Sequence, residues 1–264
     1  MDVLIVGSGG REHALCYAIS KSPRAGKIYC APGNAGTSEI AENINIKADD
    51  IEALSEFAEK NGIGLTVVGP EAPLVGGIVD IFESKGLKIF GPRADAARME
   101  GSKIFTKNLF KKNNIPTGDF AEFDAPVKAV EYIKKEKKYP VVIKADGLAA
   151  GKGVIICKDE DEALGAVNDI MEKKAFGEAG DRIVIEEFLE GEETSILALR
   201  TAVQFLRFPH RRTIREYTIM TKVRIREDGG LRARAACHTG DDRGYNDEYS
   251  GAYLVGAEKR RNSL

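Results

Sequence analysis

The sequence predicts an α/β protein: a parallel-sheet, Rossmann-like N-terminal domain followed by a partial α+β domain. Three observations carry that reading. Short apolar runs at 2–6, 27–31, 65–69 and 88–91 alternate with stretches of helical period, as parallel strands joined by crossover helices do. Each run is closed by glycine, proline or both, the residues that end regular structure. Beyond about residue 101 the rhythm changes: the apolar runs at 139–144 and 154–157 are separated only by a glycine-rich loop, which suits a hairpin and not a βαβ unit.

The elements follow in order. Asp2-Val3-Leu4-Ile5-Val6 is a buried first strand ending in Gly7-Ser8-Gly9-Gly10, and 11–19 is a helix. Lys27–Ala31 is a second strand, stopped by Pro32-Gly33-Asn34-Ala35-Gly36. Ile51, Leu54 and Phe57 share one face of a helix over 50–60. Leu65–Gly69 is a third strand, 75–85 a helix and 88–91 a fourth strand, so the first domain is placed at 1–100. A helix follows over 102–113 with Ser102 as its N-cap, then a helix at 125–136 and strands at 139–144 and 154–157. A helix at 159–173, a strand at 182–187 and the start of another at 192–199 complete a second region, 101–199.

Composition limits the function classes. Hydrophobic residues make up 43% and charged residues 30% of the 264, which excludes a wholly disordered chain. No apolar run approaches the length of a membrane span, and the N-terminus reads as a strand and not as a signal peptide. Cys16, Cys30, Cys157 and Cys237 show no metal-ligand spacing and are read as reduced thiols of a cytoplasmic protein. His13, His210 and His238 do not cluster, and no Ser/His/Asp or Cys/His arrangement can be argued.

The net charge of −2 hides a break. Residues 1–199 hold 25 Lys and Arg against 33 Asp and Glu, whereas 200–264 hold 14 against 8. The type changes too, from 20 Lys and 5 Arg to 2 Lys and 12 Arg. Such a break means either a basic arm for nucleic acid or a segment of different origin. Within 200–264, Arg211-Arg212 and Arg260-Arg261 are the only adjacent arginine pairs and no aromatic platform repeats among them, so no nucleic-acid partner is expected.

Four segments point to a site. Gly7-Ser8-Gly9-Gly10 follows a strand and opens a helix, where free N–H groups and the positive dipole end attract an anion; a tight turn is the plainer alternative. A dinucleotide fold would place an acid at the end of the second strand for the ribose, and Ala31-Pro32 stands there, which disfavours a nicotinamide enzyme. Asn34 and Glu71 lie just past strand C-termini, the edge at which open α/β sheets bind ligands. In Lys144-Ala145-Asp146-Gly147-Leu148-Ala149-Ala150-Gly151-Lys152-Gly153, a strand holds Lys144 as a point charge for phosphate. Glycine N–H groups and Lys152 lie in the loop beside it. The P-loop spacing is absent. Finally Ile185-Glu186-Glu187-Phe188-Leu189-Glu190-Gly191-Glu192-Glu193 is a strand delivering an apolar linker whose backbone can pair with an adenine edge, with carboxylates beyond it for ribose hydroxyls.

Taken in order, VLIVGSGGREHAL, APGNAGT, VVGPEAPLVGGIVD, IFGP, EGSKIFTK, YPVVIKADGLAAGKGVIIC and FGEAGDRIVIEEFLEGEETSI resemble the glycinamide ribonucleotide synthetases of the ATP-grasp superfamily, over 1–199 almost without gaps. The resemblance implies an N-terminal substrate domain and a partial ATP-grasp domain. It implies ATP-dependent ligation of glycine to 5-phosphoribosylamine through a glycyl phosphate, an early step of purine synthesis, with ATP and Mg²⁺. It carries Lys107, Lys144 and Lys152 to the ATP phosphates, Lys144 and Lys152 as the catalytic pair, with Gly151 and Gly153 in the same loop. Glu186, Glu187, Phe188 and Leu189 match the adenine linker and Glu193 a ribose ligand, while Gly9, Gly10, Asn34 and Glu71 fall where phosphoribosylamine binds.

The match stops near Leu199. The family's QDHKR and GPNTGGMGAY segments, and a later Glu/Asn pair for Mg²⁺, are not present as written, so no metal ligand is assigned. Reverse translation explains the break. Permissible codons for Pro209 to Glu227, read from each third base, allow SSQDHKRIYDNDKGPNTGG; from Asp228, read from each second base, they allow MGAYAPAPHVIQETTEDIMTNIVGRIL. Residues 200–264 are therefore expected to be an out-of-frame translation caused by two single-base losses, near codons 199 and 228. The chain as written is expected to be inactive; a nucleotide-binding module without turnover is the alternative.

Overall fold

A computed structural model describes residues 1–149 and 152–191, together with the backbone of short strands at 194–195, 198–200, 205–207, 211–212, 223–225 and 231–233. The chain divides into two compact units. One comprises Met1–Thr106, Lys144–Val154 and Asp169–Ile183; the other comprises Lys107–Ile143, Ile155–Asn168 and the described residues from Val184 on.

The first unit is built on strands β1 (Val3–Gly7), β2 (Ile28–Pro32), β3 (Glu42–Asn43), β4 (Leu65–Val68) and β5 (Ile89–Phe90), in the order β3-β2-β1-β4-β5. All neighbours are parallel, with Val3 opposite both Ile28 and Leu65. The period-two alternation of β1 sends its residues to two faces. Leu4 and Val6 meet Leu54 and Ala58 of α2 (Ile51–Lys60) and Ile78, Val79 and Phe82 of α4 (Ile78–Ser84). Val3 and Ile5 meet Cys16 of α1 (Gly10–Ser20) together with Ile28, Cys30 and Val67. Full burial of Leu4, Ile5, Leu54 and Phe82 contributes about 1.5–3 kcal/mol each.

Two details differ from the sequence pattern. The helix expected over 75–85 is two, α3 (Glu71–Val75) and α4, broken at Gly76-Gly77, where Gly77 has φ +87°. A helix that the pattern did not suggest, α5 (Ala94–Gly101), precedes α6 (Lys103–Lys112). Ser102 does cap α6: its hydroxyl accepts the Phe105 N–H at 3.1 Å.

A four-stranded antiparallel sheet runs in the order β6-β9-β7-β8, made of β6 (Phe120–Phe123), β7 (Val141–Ala145), β8 (Val154–Cys157) and β9 (Ile183–Glu187), with most of its residues in the second unit. The expected hairpin is present as adjacent β7 and β8; the edge strand β6 was not expected. Helices α7 (Pro126–Glu136) and α8 (Glu160–Val167) pack together and bury Ala129, Ile133, Ala163, Ala166 and Val167. The helix expected over 159–173 ends at Val167 and continues as a π-helical turn, Asn168–Glu172. Among the described residues no helix is long and apolar enough to cross a membrane.

Candidate active site

Strand order reverses at β1, so the loops after β1, β2 and β4 open at one carboxyl edge of the first unit's sheet. The glycine loop there is shaped by side chains from three directions. Glu12, 4% exposed, accepts the Gly9 N–H at 2.5 Å at the start of α1, the glutamate half of a capping box, since Gly9 has no side chain to complete it. Its side chain fills the space beside Gly7 and Gly69: a Cβ on Gly7, which has φ +128°, would lie 2.6 Å from Glu12 Cγ, and one on Gly69 would overlap Glu12 Oε1.

Asn34 donates to the carbonyls of Ser8 and Gly9 at 2.9 and 3.2 Å, and its Oδ1 accepts the Thr37 N–H at 3.0 Å. Its side chain thus shapes the glycine loop directly. Arg11 donates to the Gly69 carbonyl at 2.7 Å and to Glu71 at 3.0 Å, an exposed ion pair. The Glu71 N–H and, after it, the Arg11 guanidinium hold the Glu71 carboxyl below the usual carboxylate range. Gly9 and Gly10 are exposed, and nothing lies within 4 Å of a Cβ built on Gly10. Gly9, Gly10, Asn34 and Glu71 therefore lie along one edge of the sheet. Arg11 and Glu12 were missed, although a glutamate three residues past a helix cap is a readable signal.

In the same unit, Lys144 is half-buried at the end of β7 and Lys152 is exposed. The Ala145 N–H donates to the Gly153 carbonyl at 2.9 Å. A Cβ on Gly153 would lie 2.7 Å from Ala149 Cβ, so this return strand requires glycine. Asp146, which the sequence did not single out, has a side chain only 3% exposed and accepts from Ser102, Ile104 and Arg182.

In the second unit Lys107 and Glu186 come together. They form an ion pair at 3.0 Å with side chains 12% and 3% exposed. Lys107 also donates to Thr117 Oγ1 at 2.7 Å and to the Gly118 carbonyl at 3.5 Å, with the Phe120 ring 5.5 Å from its Nζ. Exposed Glu187 accepts the Asp119 N–H at 3.2 Å. Half-buried Leu189 lies against Gly118, where a Cβ would sit 3.3 Å from Leu189 Cδ1; Phe188 is half-buried. The linker 186–189 is thus fastened to 117–119 beside a buried lysine. Gly151 and Glu193 lie outside the described residues.

The donor set suits a nucleotide: lysines for phosphate charge and an apolar linker at a strand end for a base. For Mg²⁺ the fit is poor. Among the described residues no group of three or more His, Cys, Asp or Glu is placed to hold a metal ion, and no step is derived through one.

A parallel N-terminal sheet followed by this antiparallel sheet with a lysine loop and an acidic linker defines an ATP-grasp protein. Residues 1–100 match the N domain of phosphoribosylglycinamide synthetase and 101–218 its ATP-grasp (A) domain; the chain belongs to that family. Relatives called phosphoribosylamine–glycine ligase include one from Pasteurella multocida, 54% identical over 201 residues, covering 75% of this chain and 47% of that protein. One from Caldanaerobacter subterraneus is 55% identical over 198 residues, with the same coverage of 75% and 47%. The chain spans about half the length of the curated relatives it matches. The crystal structure of the Thermotoga maritima ligase superposes with a TM-score of 0.65 at 33% identity, covering 80% of this chain and 49% of that one. An N5-carboxyaminoimidazole ribonucleotide synthetase from Thermus thermophilus shares the fold, with a TM-score of 0.59 at 24% identity over 88% of this chain and 56% of that one.

Proposed function

We propose that the gene specifies an ATP-dependent carbon–nitrogen ligase that joins glycine to 5-phosphoribosylamine in the cytoplasm, and that this chain supplies its substrate domain (1–100) and part of its ATP-grasp domain (101–199). The observation that carries the reading is the buried Lys107–Glu186 pair at the root of the linker 186–189. A cation is held in place beside the strand end from which the apolar linker Phe188-Leu189 would meet a nucleotide's base. Lys107, Lys144 and Lys152 contact the ATP phosphates, 186–189 the adenine and Glu193 the ribose. Gly9, Gly10, Asn34 and Glu71 contact phosphoribosylamine.

The γ-phosphoryl group passes to the glycine carboxylate, the amine attacks the resulting acyl phosphate, and phosphate leaves. The demand on the protein is to hold charged groups in line and offset phosphate charge, the work of fixed lysines. Bound Mg²⁺ would neutralise phosphate charge, but its ligands are not among the residues assigned.

Residues 200–264 are an out-of-frame segment in this reading, which is supported by alignments to curated relatives spanning only 198 to 201 residues, although the family's ATP-grasp model extends its match to residue 218. The chain as written binds ATP without turnover, and the frame-restored protein is the ligase. Calorimetric titration with ATP and a coupled ADP assay test both halves. The 264-residue chain should bind ATP and release no glycine-dependent ADP; the restored protein should release ADP only with glycine and phosphoribosylamine together. A restored protein that binds ATP and makes no ADP would favour the binding-module alternative.

A further inference from the structure

Asp146 is two residues beyond Lys144 and 36 residues from Arg182 in sequence, yet its carboxylate is 3% exposed and fully engaged. Oδ1 accepts the Ser102 hydroxyl at 2.9 Å and the Ile104 N–H at 3.0 Å; Oδ2 accepts the same hydroxyl at 3.2 Å and Arg182 Nη2 at 2.6 Å. The backbone repeats the tie. The Asp146 N–H donates to the Arg182 carbonyl at 2.9 Å, and Lys103 Nζ donates to the Gly147 carbonyl at 2.9 Å. Gly147 has φ +157°, and a Cβ there would lie 2.7 Å from Ala179 Cβ. The strand end that bears Lys144 is thus pinned to the first turn of α6 and to the segment entering β9.

A buried carboxylate at a helix N-terminus with a guanidinium partner is a charge-assisted anchor. We propose that Asp146 is a positioning residue: it holds the end of β7 so that the Lys144 ammonium presents at one fixed place. Its role in nucleotide binding rests on the function proposed above; its effect on Lys144 does not.

The test is trace acetylation of the 264-residue chain with acetic anhydride, read by mass spectrometry, in the parent and in Asp146→Asn, with exposed Lys21 and Lys60 as internal references. Asp146→Asn keeps the shape and loses the charge. Lys144 labelling is expected to change at least threefold while Lys21 and Lys60 stay constant. ATP affinity should fall about tenfold, the scale of one lost charged hydrogen bond. That fall should vanish in a Lys144→Met background, because the two residues act as one. Unchanged Lys144 labelling overturns the proposal, as does an ATP effect of equal size in the Lys144→Met background. If the parent binds no ATP, the nucleotide reading fails, and the labelling still decides for or against Asp146.

Discussion

Replacing Lys107 by Met removes the cation 3.0 Å from a Glu186 carboxylate whose side chain is only 3% exposed. Breaking a buried pair from one side costs about 3–5 kcal/mol, because the remaining charge stays desolvated. Lys107 is itself 12% exposed, and Glu186 keeps other contacts, so the lower end of about 3 kcal/mol applies. At about 1.4 kcal/mol per decade that is roughly a hundredfold in the opening equilibrium. Native-state amide exchange at Val184–Glu186 reads this locally, without assuming that the two units unfold together. Protection there should fall about a hundredfold in Lys107→Met, with β1 and β4 unchanged. The double replacement Lys107→Met with Glu186→Met should recover most of it, since two apolar side chains of similar volume leave no buried charge. Protection in Lys107→Met within threefold of the parent would refute the reasoning, as would a double replacement as damaged as the single.

Three further outcomes follow from the first unit and β8. Burial raises the thiols of Cys16, Cys30 and Cys157, Cys30 to about 12 and Cys157 to about 11. A thiol kept protonated by folding stabilises in full below its ordinary value near 9 and loses that contribution as pH rises toward the folded value. All three should resist dithiobis-nitrobenzoate at pH 8 until the chain unfolds; fast native labelling of any of them contradicts their burial. The lowered Glu71 carboxyl works in the opposite sense: its contribution is present above the ordinary carboxylate range and lost as pH falls through the depressed value. In Arg11→Met the Glu71 carboxyl signal should titrate at higher pH than in the parent, and an unmoved titration would deny the Arg11 contact. Gly7→Ala meets both φ +128° and the Glu12 side chain, and should cost about 1–3 kcal/mol. Gly10→Ala, with open space around it, should stay within about 1 kcal/mol of the parent by urea unfolding.

The alternating runs of β1, β2 and β4 were legible because each is buried on both faces and closed by glycine or proline. The glycine edge, the lysine loop and the acidic linker stand out in the sequence because their residue types suit one chemistry, the binding of a phosphorylated ligand. Edge strand β6 was not: Phe120–Phe123 is short and mostly half-buried, so its pattern is weak. Asp146 was invisible for a different reason. Its partners Ser102, Ile104 and Arg182 lie 44, 42 and 36 residues away, and no local pattern encodes a carboxylate satisfied at that distance. The Lys107–Glu186 pair is of the same kind: both residues were candidates, but only the fold joins them.

The most direct measurement is the base sequence of the gene from codon 190 to beyond codon 264. Two additional bases, near codons 199 and 228, with a frame running on through QDHKR into GPNTGGMGAY, are the predicted result, and they would restore the reading frame of the proposed ligase. A gene that encodes Arg200 to Leu264 as written contradicts the out-of-frame tail and, with it, the assignment of this gene to a working phosphoribosylamine–glycine ligase.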